Sequence, residues 1–135
     1  MINAQLAVIK TAGLIGVIHS GWQGTVNEIT LKVFQHLIRN EGCNPQEFQV
    51  YMGKALSQDK FEVDEDVYQK FNDLKYAEQF VLFYSKTGKY HIDNQQTVKR
   101  QCELAGIPSG QICVDPTCTF KDPECLSTCN FKDKP

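Results

Sequence analysis

The chain has 135 residues, 41% of them hydrophobic and 22% charged, the size and balance of a single globular domain that can bury its own core. Fourteen Lys plus Arg against sixteen Asp plus Glu leave a net charge of -2, so the positive excess that a phosphate backbone requires is missing and no nucleic-acid partner is expected. No apolar run approaches the roughly 20 residues of a membrane-spanning helix, and residues 1–5 show no basic region leading into a long apolar stretch; no membrane partner is expected, and the expected location is the cytoplasm.

In chain order, residues 5–9 and 14–19 are short, apolar and β-branched, and they read as adjacent strands joined by a turn at Thr11, Ala12 and Gly13. The second is apolar on both faces, the pattern of a strand buried between layers. A glycine-bracketed loop follows at residues 20–25. Thr25 and Glu28 have the spacing of a capping box, so a helix is expected to start there. Val26, Ile29, Val33, Phe34, Leu37 and Ile38 recur at helical spacing, and Gly42 is its expected stop.

A strand is expected over 48–52 and a helix over 64–74. Residues 79–84 and 89–92 read as a hairpin around 85–88, with Gly88 late in the loop. Asp93 and Gln96 form a second capping pattern. The helix beyond it carries Val98, Cys102 and Ala105 on one face and stops at Gly106, Ile107 and Pro108. A last strand is expected over 111–114. Mixed strands and helices imply an α/β or α+β layered domain. After Asp115 the periodic signal fades, and the polar tail is expected to be poorly ordered.

Six cysteines (Cys43, Cys102, Cys113, Cys118, Cys125, Cys129) are many for this length, and without an export signal they are read as reduced thiols. A structural zinc cluster usually shows a Cys-x-x-Cys pair, and the closest spacing here is Cys125 to Cys129. Three histidines in the whole chain cannot build a multicopper cluster.

Among residues that could carry chemistry, His19 ends a strand and opens the loop that holds Gly21, Gly24 and the only tryptophan, Trp22. An imidazole there can offer a ring nitrogen to a metal or shuttle a proton; a strand-end histidine bonded to backbone is the alternative. Glycines let backbone amides approach a ligand closely, and an indole offers a stacking surface for a base. His36 reads as a solvated helix residue and His91 as structural. Asp93 and Asp115 lie near strand ends, Asp93 with a capping role. Lys54 follows Gly53 and reads as a surface lysine or a point charge for phosphate. Cys118 is a nucleophile only if a positive neighbour lowers its pKa, and otherwise a buried thiol.

The run His19-Ser20-Gly21-Trp22-Gln23-Gly24-Thr25 closely resembles the His-Ala-Gly-Trp-Arg-Gly-Thr signature of the YfiH-type laccase-domain family. Gly53-Lys54-Ala55-Leu56 resembles that family's Gly-Pro-x-Ile turn, and Phe61-Glu62-Val63 its Tyr/Phe-Glu-Val. His91-Ile92-Asp93 with Ala105-Gly106-Ile107 is similar to its Leu-Asp-Leu…Gly-Val segment, and Cys118-Thr119 to its Cys-Thr pair. Together these span roughly residues 5–120 in the family's order.

The resemblance implies an α+β fold, a layered α/β/β/α sandwich truncated at both ends. It divides the chain into a partial laccase-type domain over 1–120 and a divergent tail over 121–135. It also implies membership of a zinc-dependent family of purine nucleoside phosphorylases and adenosine deaminases, once described as polyphenol oxidoreductases, with purine nucleoside and phosphate as substrates. Of that family's metal ligands, two histidines and a cysteine, His19 corresponds to the last in sequence, and the other two are expected before residue 1. His19 and Cys118 are the expected catalytic residues, and Gly21, Trp22, Gln23 and Gly24 the expected substrate-binding ones. Gln23 stands where the family has an arginine, which removes a permanent cation. Impaired or absent turnover is therefore expected. The alternative is a non-catalytic remnant that binds a nucleoside or a partner protein. A homo-oligomer is a further expectation, because lost strands would leave an open sheet edge.

Overall fold

Turn signals and alternating apolar residues divide the chain much as expected. A computed structural model describes residues 5–11, 13–53 and 58–115. In chain order these form β1 (Gln5–Thr11), β2 (Leu14–Ser20), α1 (Trp22–Val26), α2 (Ile29–Asn40), β3 (Gln49–Met52), β4 (Glu62–Val63), α3 (Glu65–Asn72), β5 (Val81–Tyr84), β6 (Lys89–Ile92), α4 (Asn94–Leu104) and β7 (Ile112–Val114).

One sheet has the order β2-β1-β3-β7 and the other β4-β6-β5. β1 and β2 are an antiparallel hairpin running from Gln5 opposite Ser20 to Thr11 opposite Leu14, and Gly13 at φ 77 supplies the left-handed backbone of its turn. β1 also pairs antiparallel with β3, while β3 and β7 are parallel, with Val50 opposite Ile112. In the second sheet all pairings are antiparallel, and Gly88 at φ 68 closes the β5–β6 hairpin as its position predicts. Cys113 of β7 is disulfide-bonded, which corrects the expectation of uniformly reduced thiols; Cys43 and Cys102 are free.

Each sheet covers its own apolar cluster. Ile9, Ile18, Val50, Met52 and Ile112 on the inward face of the larger sheet meet Phe34 of α2 and Val98 and Cys102 of α4. Phe34 and Phe48 are fully buried and meet edge to face at 5.1 Å. The smaller sheet gives Val63, Val81 and Ile92 to a cluster with Phe61 and Phe71, and Trp22 and Val26 of α1 pack against it. The result is the expected mixed α+β layering, with α1 lying where the two clusters approach each other.

Two expectations change. β2 is not buried between layers. Among the described residues it is the edge strand of its sheet, with Ile15 73% and Val17 66% exposed, because the described helices cover only the face that carries Ile18 and Ser20. The single helix expected from Thr25 is two helices, broken where Glu28 adopts φ 59, a left-handed conformation rare outside glycine. Thr25 lies inside α1 rather than at a cap. The stop signal holds: Gly42 at φ 73 ends the turn after α2, and the Cys43 N–H donates to the Leu37 carbonyl at 3.1 Å.

Candidate functional site

The turn from β2 into α1 is held by a buried polar network. Ser20, Thr25, Asn94 and Gln101 are all essentially inaccessible. The Thr25 hydroxyl lies 2.6 Å from Asn94 Oδ1, 2.9 Å from the Gly21 carbonyl and 2.8 Å from Ser20 Oγ. Asn94 Nδ2 donates to the Ser20 carbonyl at 3.0 Å, which fixes the orientation of that amide, since only its nitrogen can face a carbonyl. Gln101 Nε2 donates to the Thr25 carbonyl at 2.8 Å and lies 3.1 Å from the Tyr76 hydroxyl. Tyr76 in turn donates to Glu28 Oε2 at 2.8 Å. Burial, and then that carboxylate, push the Tyr76 pKa well above its ordinary value, so the phenol keeps its proton. The network outcompetes the local capping box: Thr25 spends its hydroxyl on Asn94, Gly21 and Ser20 instead of on a helix N-terminus.

Around this support stand the expected residues of the loop. His19, next to last in β2 and exposed, makes no hydrogen bond with the described residues, so its imidazole is uncommitted among them. His19, Gly21, Trp22, Gln23 and Gly24 line a cavity of roughly 310 Å³. Trp22 and Gln23 also wall a second one of roughly 410 Å³, together with Lys70 and Asp73 of the α3 region. Lys70 Nζ sits 5.5 Å from the Trp22 ring centroid, a cation–π distance. Gly21 has an ordinary extended backbone (φ -76, ψ -173), so its conformation does not demand glycine. Gly24 is closely packed: a Cβ there would meet Ile29 Cγ2 at 3.2 Å and Ser20 Oγ at 3.3 Å, so these side chains would have to give by a few tenths of an ångström to admit one.

The other sequence candidates are not brought to this loop. His36 is on the solvent face of α2, 2.8 Å from Asn40 Nδ2. His91 is structural, as expected: it is fully buried, with Nδ1 2.9 Å from the Gln58 carbonyl, Nε2 3.0 Å from the Thr87 hydroxyl, and its ring stacked on Tyr84. The Asp93 carboxylate accepts from the Gln96 N–H at 3.0 Å, the expected cap; burial raises its pKa while that bond lowers it. Asp115 is buried, and the Tyr51 hydroxyl donates to it at 3.3 Å. Cys118, Lys54 and the 121–135 tail lie outside the described residues. Asn94, Gln101, Tyr76, Glu28 and Lys70 join the site without a local sequence signal for it. Asn94 directly follows a capping aspartate, and nothing nearby marks its reach back to Ser20.

Zinc, which the resemblance implies, takes three or four protein donors. Among the described residues no three His, Cys, Asp or Glu side chains lie together as a metal-holding group. His19 stands there as a single donor, and one imidazole does not retain the ion. The described residues therefore do not fit a resident zinc.

A mixed α+β domain whose edge strand delivers a histidine into a glycine–tryptophan loop defines the class of protein. The chain belongs to the family of multi-copper polyphenol oxidoreductase laccases, whose model matches residues 6–127. It is 31% identical over 112 residues to a purine nucleoside phosphorylase of Bacteroides thetaiotaomicron, covering 82% of this chain and 42% of that protein. It is 32% identical over 113 residues to adenosine deaminase RL5 of an unknown prokaryotic organism, covering 83% and 43%. The chain thus spans well under half the length of these relatives. Among solved structures, YfiH of Bacillus licheniformis matches with a TM-score of 0.80 at 28% identity, over 88% of this chain and 46% of that one. YlmD of Geobacillus stearothermophilus matches with a TM-score of 0.82 at 23% identity, over 98% and 50%, which speaks for the fold alone. No helix among the described residues is long and apolar enough to cross a membrane.

Proposed function

We propose that this chain carries the nucleoside-binding loop of a purine nucleoside phosphorylase or adenosine deaminase and has little or no turnover by itself. The observation that carries the reading is the cavity beside His19, Trp22 and Gln23, built on the run that resembles the family signature, within the residues the family model matches. Its volume of roughly 310 Å³ is at the small end of ligand pockets, which begin at about 300 Å³. A purine would stack on the Trp22 indole, and the Gln23 amide could pair with polar edges of the base or sugar. The His19 ring can donate to or accept from a ribose hydroxyl. Gln23 supplies no charge for phosphate where the family signature has an arginine, so the second substrate of phosphorolysis would bind poorly. Zinc dependence would require donors that the described residues do not provide.

Calorimetric titration of adenosine, inosine and inorganic phosphate into the purified chain tests this, alongside a turnover assay for both nucleosides. Nucleoside binding that is lost in Trp22→Ala and weakened in His19→Ala, with no measurable phosphorolysis or deamination, is the expected result. Turnover by the isolated chain would overturn the second half of the proposal; absence of nucleoside binding would overturn the first.

A further inference from the structure

Among the described residues only Glu28 and Lys75 have a positive φ without being glycine, at 59 and 67. A left-handed backbone is disfavoured for residues with such side chains and persists only where the surrounding structure holds it. The two positions are far apart in sequence and meet at one contact. Glu28 is the break between α1 and α2, and its carboxylate accepts from the Tyr76 hydroxyl at 2.8 Å. Lys75 directly precedes Tyr76 and is the centre of a three-residue turn, closed by the Tyr76 N–H donating to the Leu74 carbonyl at 2.7 Å. With a positive φ at its centre, such a turn is the rare and strained form.

The contact has a third member. Gln101 of α4 is fully buried, and its Nε2 donates to the Thr25 carbonyl at 2.8 Å and to the Tyr76 hydroxyl at 3.1 Å. Its Oε1 has no partner among the described residues, so the amide is oriented by the two bonds that its nitrogen donates. The protons then run one way, from Gln101 to the phenol oxygen and from the phenol to the Glu28 carboxylate. The Glu28 N–H also donates to the Thr25 carbonyl, at 2.9 Å. The end of α1 is thus tied to α4 and to Tyr76. That helix is only five residues long, too short to hold its own shape. It brings Trp22 and Gln23 to the cavity of roughly 410 Å³ that Lys70, Asp73 and Leu74 also line. Leu74 belongs to the same strained turn as Tyr76, so the bond from Tyr76 to Glu28 joins two walls of that cavity.

We propose that Tyr76 and Glu28 form a clasp whose role is positioning: it holds both strained junctions and so fixes Trp22 of α1 relative to Lys70 and Leu74. Neither residue need touch a ligand, and the clasp acts in the same way whatever covers the outer surface. Its consequence for nucleoside binding rests on the reading given above; its mechanical role does not.

Trp22, the only tryptophan, reports on the clasp through its fluorescence anisotropy decay without any ligand. Tyr76→Phe keeps the ring and removes the hydroxyl. In that variant Trp22 is expected to gain a fast component of motion, and adenosine affinity to fall by about tenfold, the upper end of what one hydrogen bond contributes. Glu28→Gln keeps an oxygen acceptor for the phenol and is expected to retain the wild-type decay. Glu28→Ala and Glu28→Gly both remove the carboxylate, but only glycine takes up the left-handed backbone without strain. Glu28→Ala is expected to mobilise Trp22 and Glu28→Gly to leave it as in the wild type. Recorded well below the unfolding transition, that split is not produced by a general loss of stability, and it decides the question if Tyr76→Phe does not fold. A folded Tyr76→Phe with the wild-type decay, or Glu28→Ala and Glu28→Gly variants that behave alike, would overturn the inference. A loosened Trp22 in Tyr76→Phe, together with no adenosine binding by the wild type, would support the clasp and remove the nucleoside reading instead.

Discussion

Asn94 shows how one side chain far along the chain sets the geometry of the candidate loop. Its amide joins the Thr25 hydroxyl and the Ser20 carbonyl across about seventy positions of sequence, in a region from which water is excluded. Replacing it by a similarly sized apolar group, Asn94→Leu, removes the amide's bonds to the Thr25 hydroxyl and the Ser20 carbonyl, and a hydrogen bond of this kind contributes about 0.5–1.5 kcal/mol. The variant should unfold at lower urea than the wild type by that amount, with an unchanged slope. No loss of stability would mean that the loop relaxes around the substitution. His19, Trp22 and Gln23 are legible in the sequence because a strand end, two glycines and a lone tryptophan make a local pattern. Asn94, Gln101 and Lys70 are not, because their significance lies in contacts between distant segments that no local periodicity encodes. The same limit explains Thr25: its spacing to Glu28 suggests a cap, and only the proximity of α4 reveals the competing partner.

At the scale of elements, helical periodicity locates α2 and its buried face, and glycines mark where turns close. Periodicity does not show the break at Glu28, since Val26 and Ile29 keep their spacing on either side of it. The apolar run of β2 misleads for a related reason: without alternation between apolar and polar residues, a buried strand and an uncovered edge strand look alike. Gly42 offers a clean test of the termination signal. At φ 73, with nothing within 4 Å of where a Cβ would lie, Gly42→Ala changes backbone strain and no packing. It should destabilise the protein by about 1 kcal/mol, read as a lower denaturation midpoint. A neutral effect would show that the turn after α2 can shift to a conformation that alanine tolerates.

At the scale of the whole molecule, the described residues form two apolar clusters under two sheets, and α1 with its tryptophan packs against the second of them. This division explains why the candidate loop is firmly supported from below while His19 and Gln23 remain open to solvent. The family and the mixed fold are legible from the signature run and the order of the flanking motifs. The exposed face of β2 is not, because it depends on which strands sit beside it. Membership of the laccase family carries copper in its name, yet the described residues assemble no metal-holding group. The central claim is therefore recognition of a nucleoside by the Trp22 loop. Trp22 is the only tryptophan, so its fluorescence reports on that loop without interference from any other indole. Titration with adenosine or inosine, corrected for absorption by the nucleoside, is the most direct measurement. Saturable quenching that weakens in His19→Ala is the predicted result; an emission spectrum indifferent to either nucleoside would contradict the account.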